Sequence, residues 1–86
     1  MYSIVYKNKA ARFLETLEKE TGRRLYNKIE SLKEDPFPHG SLKISGSENQ
    51  YRLRIGKYRA LYEVYKERSL IYVIKIDTRE GFYGNI

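Results

Sequence analysis

The chain has 86 residues, 41% of them apolar, with 17 Lys and Arg against 11 Asp and Glu and no cysteine. That length supports one small core, so a single domain over residues 1–86 is expected. The lack of Cys excludes a disulfide framework, a thiolate nucleophile and a cysteine-ligated zinc site. No apolar run is long enough for a membrane helix and the amino terminus carries no signal pattern, so the expected location is the cytoplasm, with no membrane partner. A net charge of +6 favours polyanionic partners, because neutralising phosphates releases their counterions.

Taken in order, Tyr2-Ser-Ile-Val-Tyr6 is β-branched and aromatic and predicts a strand. Asn8 suits an N-cap, and Ala10, Phe13, Leu14 and Leu17 recur at helical spacing through Lys9 to Glu20. Thr21-Gly22 interrupts that pattern, with Gly22 suited to closing the helix. A second helix is predicted from about Arg23 to Glu34, with Leu25, Ile29 and Leu32 on one face, completing an αα-hairpin. Asp35-Pro-Phe-Pro-His-Gly40 stops it, since neither proline can continue the helix. Leu42-Lys-Ile44 is a weak extended piece before a polar turn.

From Tyr51 the pattern changes. Tyr51–Ile55 alternates apolar and basic residues, Gly56-Lys57 makes a tight turn, and Tyr58–Tyr65 returns as a strand. Leu70–Ile76 is a β-branched third strand. The glycine-rich tail from Asp77 to Ile86 predicts no helix. The fold class is therefore α+β, in the order β-α-α-β-β-β, with a helical hairpin packed on one face of a small, mainly antiparallel sheet. The other face is left solvated or functional.

A period of two sends Tyr51, Leu53 and Ile55 to one face and Arg52 and Arg54 to the other. Arg59 lies across the turn and Lys57 is at it, so the stretch from Arg52 to Tyr62 carries four cations and no acid. Like charges on adjacent strands repel, which favours an anion as their usual neighbour over a merely solvated face. Arg79 follows the last strand and can return beside this patch, where Arg59 and Arg79 can grip one phosphate. Tyr83 is placed to stack on a base or is one more surface tyrosine. Tyr58, Tyr62, Tyr65 and Tyr72 are expected in the core or half-buried in the sheet. His39, the sole histidine, sits in the proline loop and reads as incidental, and Glu63 and Glu80 read as charge balance. No metal-ligand spacing, phosphate loop or nucleophile motif occurs, so no cofactor and no metal are expected.

The string Tyr51-Arg-Leu-Arg-Ile-Gly-Lys-Tyr-Arg-Ala-Leu-Tyr62 resembles the central signature of the RelE/ParE toxin superfamily. The likeness extends to the opening strand, the helical hairpin, the three strands and an Arg with a Tyr beyond it. It implies a RelE-type toxin of a type II toxin–antitoxin system, a ribosome-dependent messenger-RNA interferase without cofactor. Its partners would be a RelB-type antitoxin in a hetero-oligomer, the ribosome and messenger RNA. The implied reaction is attack of a ribose 2′-OH on the adjacent phosphodiester in the A site. That chemistry needs a base, an acid for the departing 5′ oxygen and positive charge on the phosphorane-like transition state.

By position, the resemblance implies catalytic roles for Arg52, Arg54, Arg59, Arg79 and Tyr83, with Lys43, Lys57, Arg52 and Arg54 binding RNA. Some relatives carry lysines at the positions of Arg52 and Arg54. Arginine does not deprotonate, so both are expected to stabilise charge, and the base lies elsewhere. Two other readings share the fold: a ParE-like gyrase inhibitor that cuts no RNA, and a non-toxic relative that only binds nucleic acid or antitoxin.

Overall fold

The computed structural model describes residues 1–83. Its elements are β1 (Ser3–Tyr6), α1 (Asn8–Thr16), α2 (Lys19–Glu30), β2 (Ser41–Lys43), β3 (Gln50–Ile55), β4 (Tyr58–Tyr65), β5 (Leu70–Thr78) and α3 (Arg79–Tyr83). Single 3-10 turns at Ser31–Lys33 and Lys66–Arg68 follow α2 and β4. The five strands form one sheet in the order β1-β5-β4-β3-β2. All neighbours are antiparallel except β1 and β5, which the intervening chain allows to run parallel. The α+β class expected from sequence is found and the element order is close to the expected one, with two additions: the weak extended piece is realised as strand β2 one residue earlier, at Ser41–Lys43, and α3 closes the chain's described part.

Three local expectations are corrected. Asn8 is the first residue of α1 and not its cap; Lys7 takes the cap position without a side-chain bond. The break between helices falls at Leu17-Glu18 and not at Gly22. Glu18 accepts from Glu20 N at 3.0 Å and Thr21 N at 3.2 Å, so a carboxylate caps a new helix where the periodicity alone continues. Gly22 lies inside α2, where a Cβ would stand 3.4 Å from the Leu14 carbonyl oxygen, so its role is close approach of the helices. Finally, the tail does form a helical turn, α3, starting at Arg79. Thr78 Oγ1 accepts from Gly81 N at 3.1 Å, and that cap offsets the poor helix propensity of the segment. Gly84, Asn85 and Ile86 of the tail lie outside the described residues.

The helical hairpin supplies Ala10, Leu25 and Ile29, and the following turn adds Leu32. They meet Leu53 of β3, Tyr58, Ala60, Tyr62 and Val64 of β4, and Ile71, Val73 and Ile76 of β5. Each fully buried aliphatic side chain contributes on the order of 2 kcal/mol by leaving water. Tyr62 is completely buried, yet its hydroxyl donates to the Pro36 carbonyl at 2.7 Å, so the proline loop is fastened to the core. Burial pushes the Tyr62 phenol up to about 12. Tyr58 also joins this core, while Tyr65 and Tyr72 remain half-buried on the other face of the sheet.

Candidate functional site

Residues directly opposite in neighbouring strands share a face, so the register defines the site. On the face away from the helical hairpin, Arg54, Arg59 and Asp77 form one row across β3, β4 and β5. Arg52, Leu61 and Lys75 form the next, and Gln50, Glu63 and Tyr72 the third. Lys43 pairs with Tyr51 and therefore lies on the opposite face. There it lines a groove with Phe37, Tyr51 and Lys66, apart from the arginines.

A β-bulge shapes these rows. Leu61 faces Lys75 while Tyr62 faces Val73, leaving Ile74 as the extra residue of β5. Uninterrupted alternation from Ile71 and Val73 would send Lys75 and Asp77 into the core. The bulge turns both onto the arginine face and returns Ile76 to the core instead. Asp77, and not Glu63 or Glu80, is thus the acid in register with Arg59. Glu63 is occupied by neutral donors: Gln50 Nε2 at 3.2 Å and the Tyr65 hydroxyl at 3.0 Å. The hydrogen bond to Glu63, followed by burial, raises the Tyr65 phenol.

The two opposed arginines resolve their repulsion differently. Arg54 is exposed to solvent. Arg59 retains 8% exposure and bends back to the β3–β4 turn, where Nη1 donates to Gly56 O at 2.9 Å and Tyr58 O at 2.8 Å. Gly56 has φ +58°, the left-handed value that a two-residue hairpin turn reserves for glycine. Lys57, exposed at the turn, accepts Arg79 N on its carbonyl at 2.8 Å. Arg79, also exposed, is thereby held at the same end of the sheet as Lys57, Arg54 and Arg59, as the sequence suggested.

Helix α3 then crosses the second row. Phe82 lies 5.5 Å from Lys75 Nζ, and the Tyr83 ring lies 6.0 Å from the Arg52 guanidinium, whose Nη1 donates to the Tyr83 hydroxyl. Leu61 sits between these two contacts. The Nε atoms of Arg52 and Arg59 are buried without a hydrogen-bond partner. Farther along the face, Tyr72 packs edge-on against Tyr65 and receives Lys7 Nζ at 4.5 Å over its ring. Lys75, Asp77 and Lys7 had no motif to announce them. Only the bulge and the strand order bring them here.

Among the described residues no group of three or more His, Cys, Asp or Glu is arranged to hold a metal ion. No described helix is long and apolar enough to cross a membrane. The arrangement therefore offers a cationic rim of Arg54, Lys57 and Arg79 beside an arginine–tyrosine pair, suited to a phosphate with an attached aromatic base.

Residues 4–81 match the family model for the ParE toxin of the type II toxin–antitoxin system parDE. The chain belongs to the RelE/ParE toxin superfamily. A curated relative from Methanocaldococcus jannaschii, named "Putative toxin RelE1", is 42% identical over an alignment of 60 residues that covers 66% of this chain and 67% of the relative. The RelE/ParE fold also aligns with the archaeal RelE–RelB complex from Pyrococcus horikoshii at TM-score 0.80 and 26% identity, covering 91% of this chain and 94% of that one. The toxin–antitoxin complex RelBE of E. coli aligns at TM-score 0.77 and 21% identity, covering 91% and 96%, a likeness of fold.

Proposed function

We propose that this RelE/ParE member is a RelE-type toxin acting in the cytoplasm, cutting messenger RNA in the ribosomal A site and held in check by a RelB-type antitoxin. The observation that carries the reading is the cluster of exposed cations, Arg54, Lys57 and Arg79, at one end of a sheet face whose neighbouring row bears the Arg52–Tyr83 pair. In the proposed reaction the 2′-OH gives up its proton and bonds to phosphorus. The P–O5′ bond breaks, and the 5′ oxygen takes a proton, leaving a 2′,3′-cyclic phosphate. Guanidinium groups at 54 and 79 neutralise the charge growing on the phosphorane oxygens, and Lys57 holds the flanking backbone. Arg52 orients Tyr83, which stacks on the base next to the cut. Arg59 belongs to the same set, and Lys43, on the other face, falls outside it. None of the arginines serves as base, so proton removal passes to water, ribosomal RNA or Tyr83.

The test is addition of the toxin to a reconstituted translation system, with messenger ends mapped on stalled ribosomes. Codon-phased cuts that vanish with Arg54→Ala or Arg79→Ala are expected. The ParE description of the matched family favours a second reading, inhibition of DNA gyrase. Intact messages with accumulated gyrase–DNA cleavage complexes would establish that reading in place of the first.

A further inference from the structure

We infer that Asp77 is the general base of the cleavage, taking the 2′-OH proton through one water. This deepens the RNA-cutting reading and rests on it.

Deprotonating a ribose hydroxyl requires an acceptor, and no guanidinium can be one. The reacting 2′ oxygen and the phosphorus it attacks belong to neighbouring groups of one sugar–phosphate unit. A base must therefore lie about one side chain away from the groups that hold the phosphate. The row Arg54, Arg59, Asp77 meets that demand. Directly opposed strand residues have Cβ atoms about 5 Å apart, near enough for a water on the carboxylate to reach the sugar of a phosphate held by the arginines. The row also ends there. Strand β1 pairs with Leu70 to Val73, short of Asp77, so no described strand flanks β5 beside the carboxylate.

The fold uses only part of this side chain. Asp77 is half-buried, and its Oδ1 accepts Thr78 N at 2.7 Å. No hydrogen bond to a described residue occupies Oδ2. Cations surround the carboxylate, yet none has closed on it: among the described residues the ion pair within 4 Å is that of Lys33 with Glu30. Arg59, opposite on β4, donates through Nη1 to the Gly56 and Tyr58 carbonyls and keeps an unpartnered Nε for phosphate. Lys75, two residues back on β5, places its ammonium 5.5 Å from the Phe82 ring. Arg79 and Glu80, which follow on α3, are both exposed. Gly81 preserves the opening, because a Cβ there would overlap Oδ1 and stand 2.7 Å from Oδ2. A carboxylate of purely structural use in such company would take a guanidinium, the stronger hydrogen-bond partner. This one is held by a backbone amide, with one oxygen left for a proton.

In the step, a water on Oδ2 takes the 2′-OH proton while passing one of its own to the carboxylate, and the 2′ oxygen bonds to phosphorus. The P–O5′ bond breaks and the 5′ oxygen takes a proton from solvent. Asp77 then returns its proton to solvent, so the protein ends unchanged.

Asp77→Asn keeps an oxygen for Thr78 N and removes the basicity. In single-turnover cutting of messenger on stalled ribosomes, the variant is expected to be slower by about 100-fold or more. It should still bind ribosomes programmed with a 2′-O-methylated codon, which cannot be cut. Between about pH 7 and pH 9 hydroxide replaces the missing base, so its rate should climb about tenfold per pH unit while the wild-type rate stays level. Hydrogen exchange at the Gly81 amide, which the Thr78 hydroxyl holds in the first turn of α3, should match wild type. Cutting at the wild-type rate in Asp77→Asn overturns the inference. So does a loss of cutting with faster Gly81 exchange and no alkaline recovery, which makes Asp77 a support for α3 and nothing more. If Asp77→Asn does not fold, Asp77→Ala combined with Gly81→Ala, whose methyl enters the vacated space, is read by the same rate and pH profile. Wild-type toxin that makes no codon-phased cuts overturns the RNA-cutting reading itself, a result separate from any difference between variant and wild type.

Discussion

Tyr83 and Arg52, 31 residues apart in the chain, meet across β4, the tyrosine hydroxyl accepting from Nη1 while the guanidinium lies 6.0 Å from the ring. The pair anchors the last turn of α3 to the third strand. Tyr83 is still 39% exposed, so its contribution to folding is small, about 1 kcal/mol or less for an exposed cation–π pair. Tyr83→Phe keeps the ring and removes the hydroxyl; Tyr83→Leu removes both. With stacking as the proposed role, the Phe variant is expected to retain most messenger cleavage and the Leu variant to lose it, at nearly equal stability; loss of cleavage in both would make the Tyr83 hydroxyl the base. Full activity in Tyr83→Leu would remove Tyr83 from the site.

Gly81 rests against the carboxylate of Asp77, and a Cβ at that position would overlap Oδ1. Gly81→Ala must therefore rotate Asp77 away from Thr78 N, which it accepts at 2.7 Å, or lift α3 from the sheet. Either costs on the order of 1 kcal/mol. Asp77→Ala removes the obstacle, so the double variant is expected to be more stable than the sum of the single losses predicts. Chemical denaturation of the four proteins measures this coupling, and strict additivity would contradict the close contact.

At the other turn, Gly56→Ala forces a side chain into φ +58°, and a loss of about 1 kcal/mol is expected. Because the added methyl meets open space, the loss should appear as strain without repacking. A thermal melt unchanged from wild type would show that the turn relaxes to another conformation.

Much of this molecule could be read before it was seen, for identifiable reasons. The strict alternation of Tyr51–Ile55 fixes which face carries Arg52 and Arg54, and Gly56-Lys57 fixes the turn that brings Arg59 opposite Arg54. The parity of a strand is lost at a bulge, however, and nothing in Val73-Ile-Lys-Ile76 marks Ile74 as the extra residue. Lys75 and Asp77 were consequently invisible as site neighbours. The helix boundary at Glu18 was hidden for another reason: a capping carboxylate looks like any other surface acid until its backbone partners are known. Short α3 depends on the Thr78 cap and on contacts with β4 and β5, which local propensity does not contain. Lys43 shows the converse limit, since a cation close in sequence to the patch is on the wrong face once β2 is in register.

Tyr62 ties stability to alkaline pH. Its phenol is raised by burial from the ordinary 10.0 to about 12, so the folded state holds the proton more tightly than the unfolded chain. Its contribution is complete below the unfolded value. As pH climbs between the two values, the unfolded chain releases the proton first, so it binds fewer protons than the native state and stability falls. Tyr6 acts in the same direction, raised by burial and then by the hydrogen bond to Glu30 that its hydroxyl donates at 2.7 Å. Urea midpoints measured at about pH 8 and about pH 11 should therefore drop for the wild type. Tyr62→Phe is expected to start lower, because the Pro36 carbonyl loses its donor at a cost of about 1 kcal/mol. Its midpoint should also fall less over the same interval, leaving only the share of Tyr6 and other groups. Identical falls in the two proteins would mean that the Tyr62 phenol does not drive the alkaline transition.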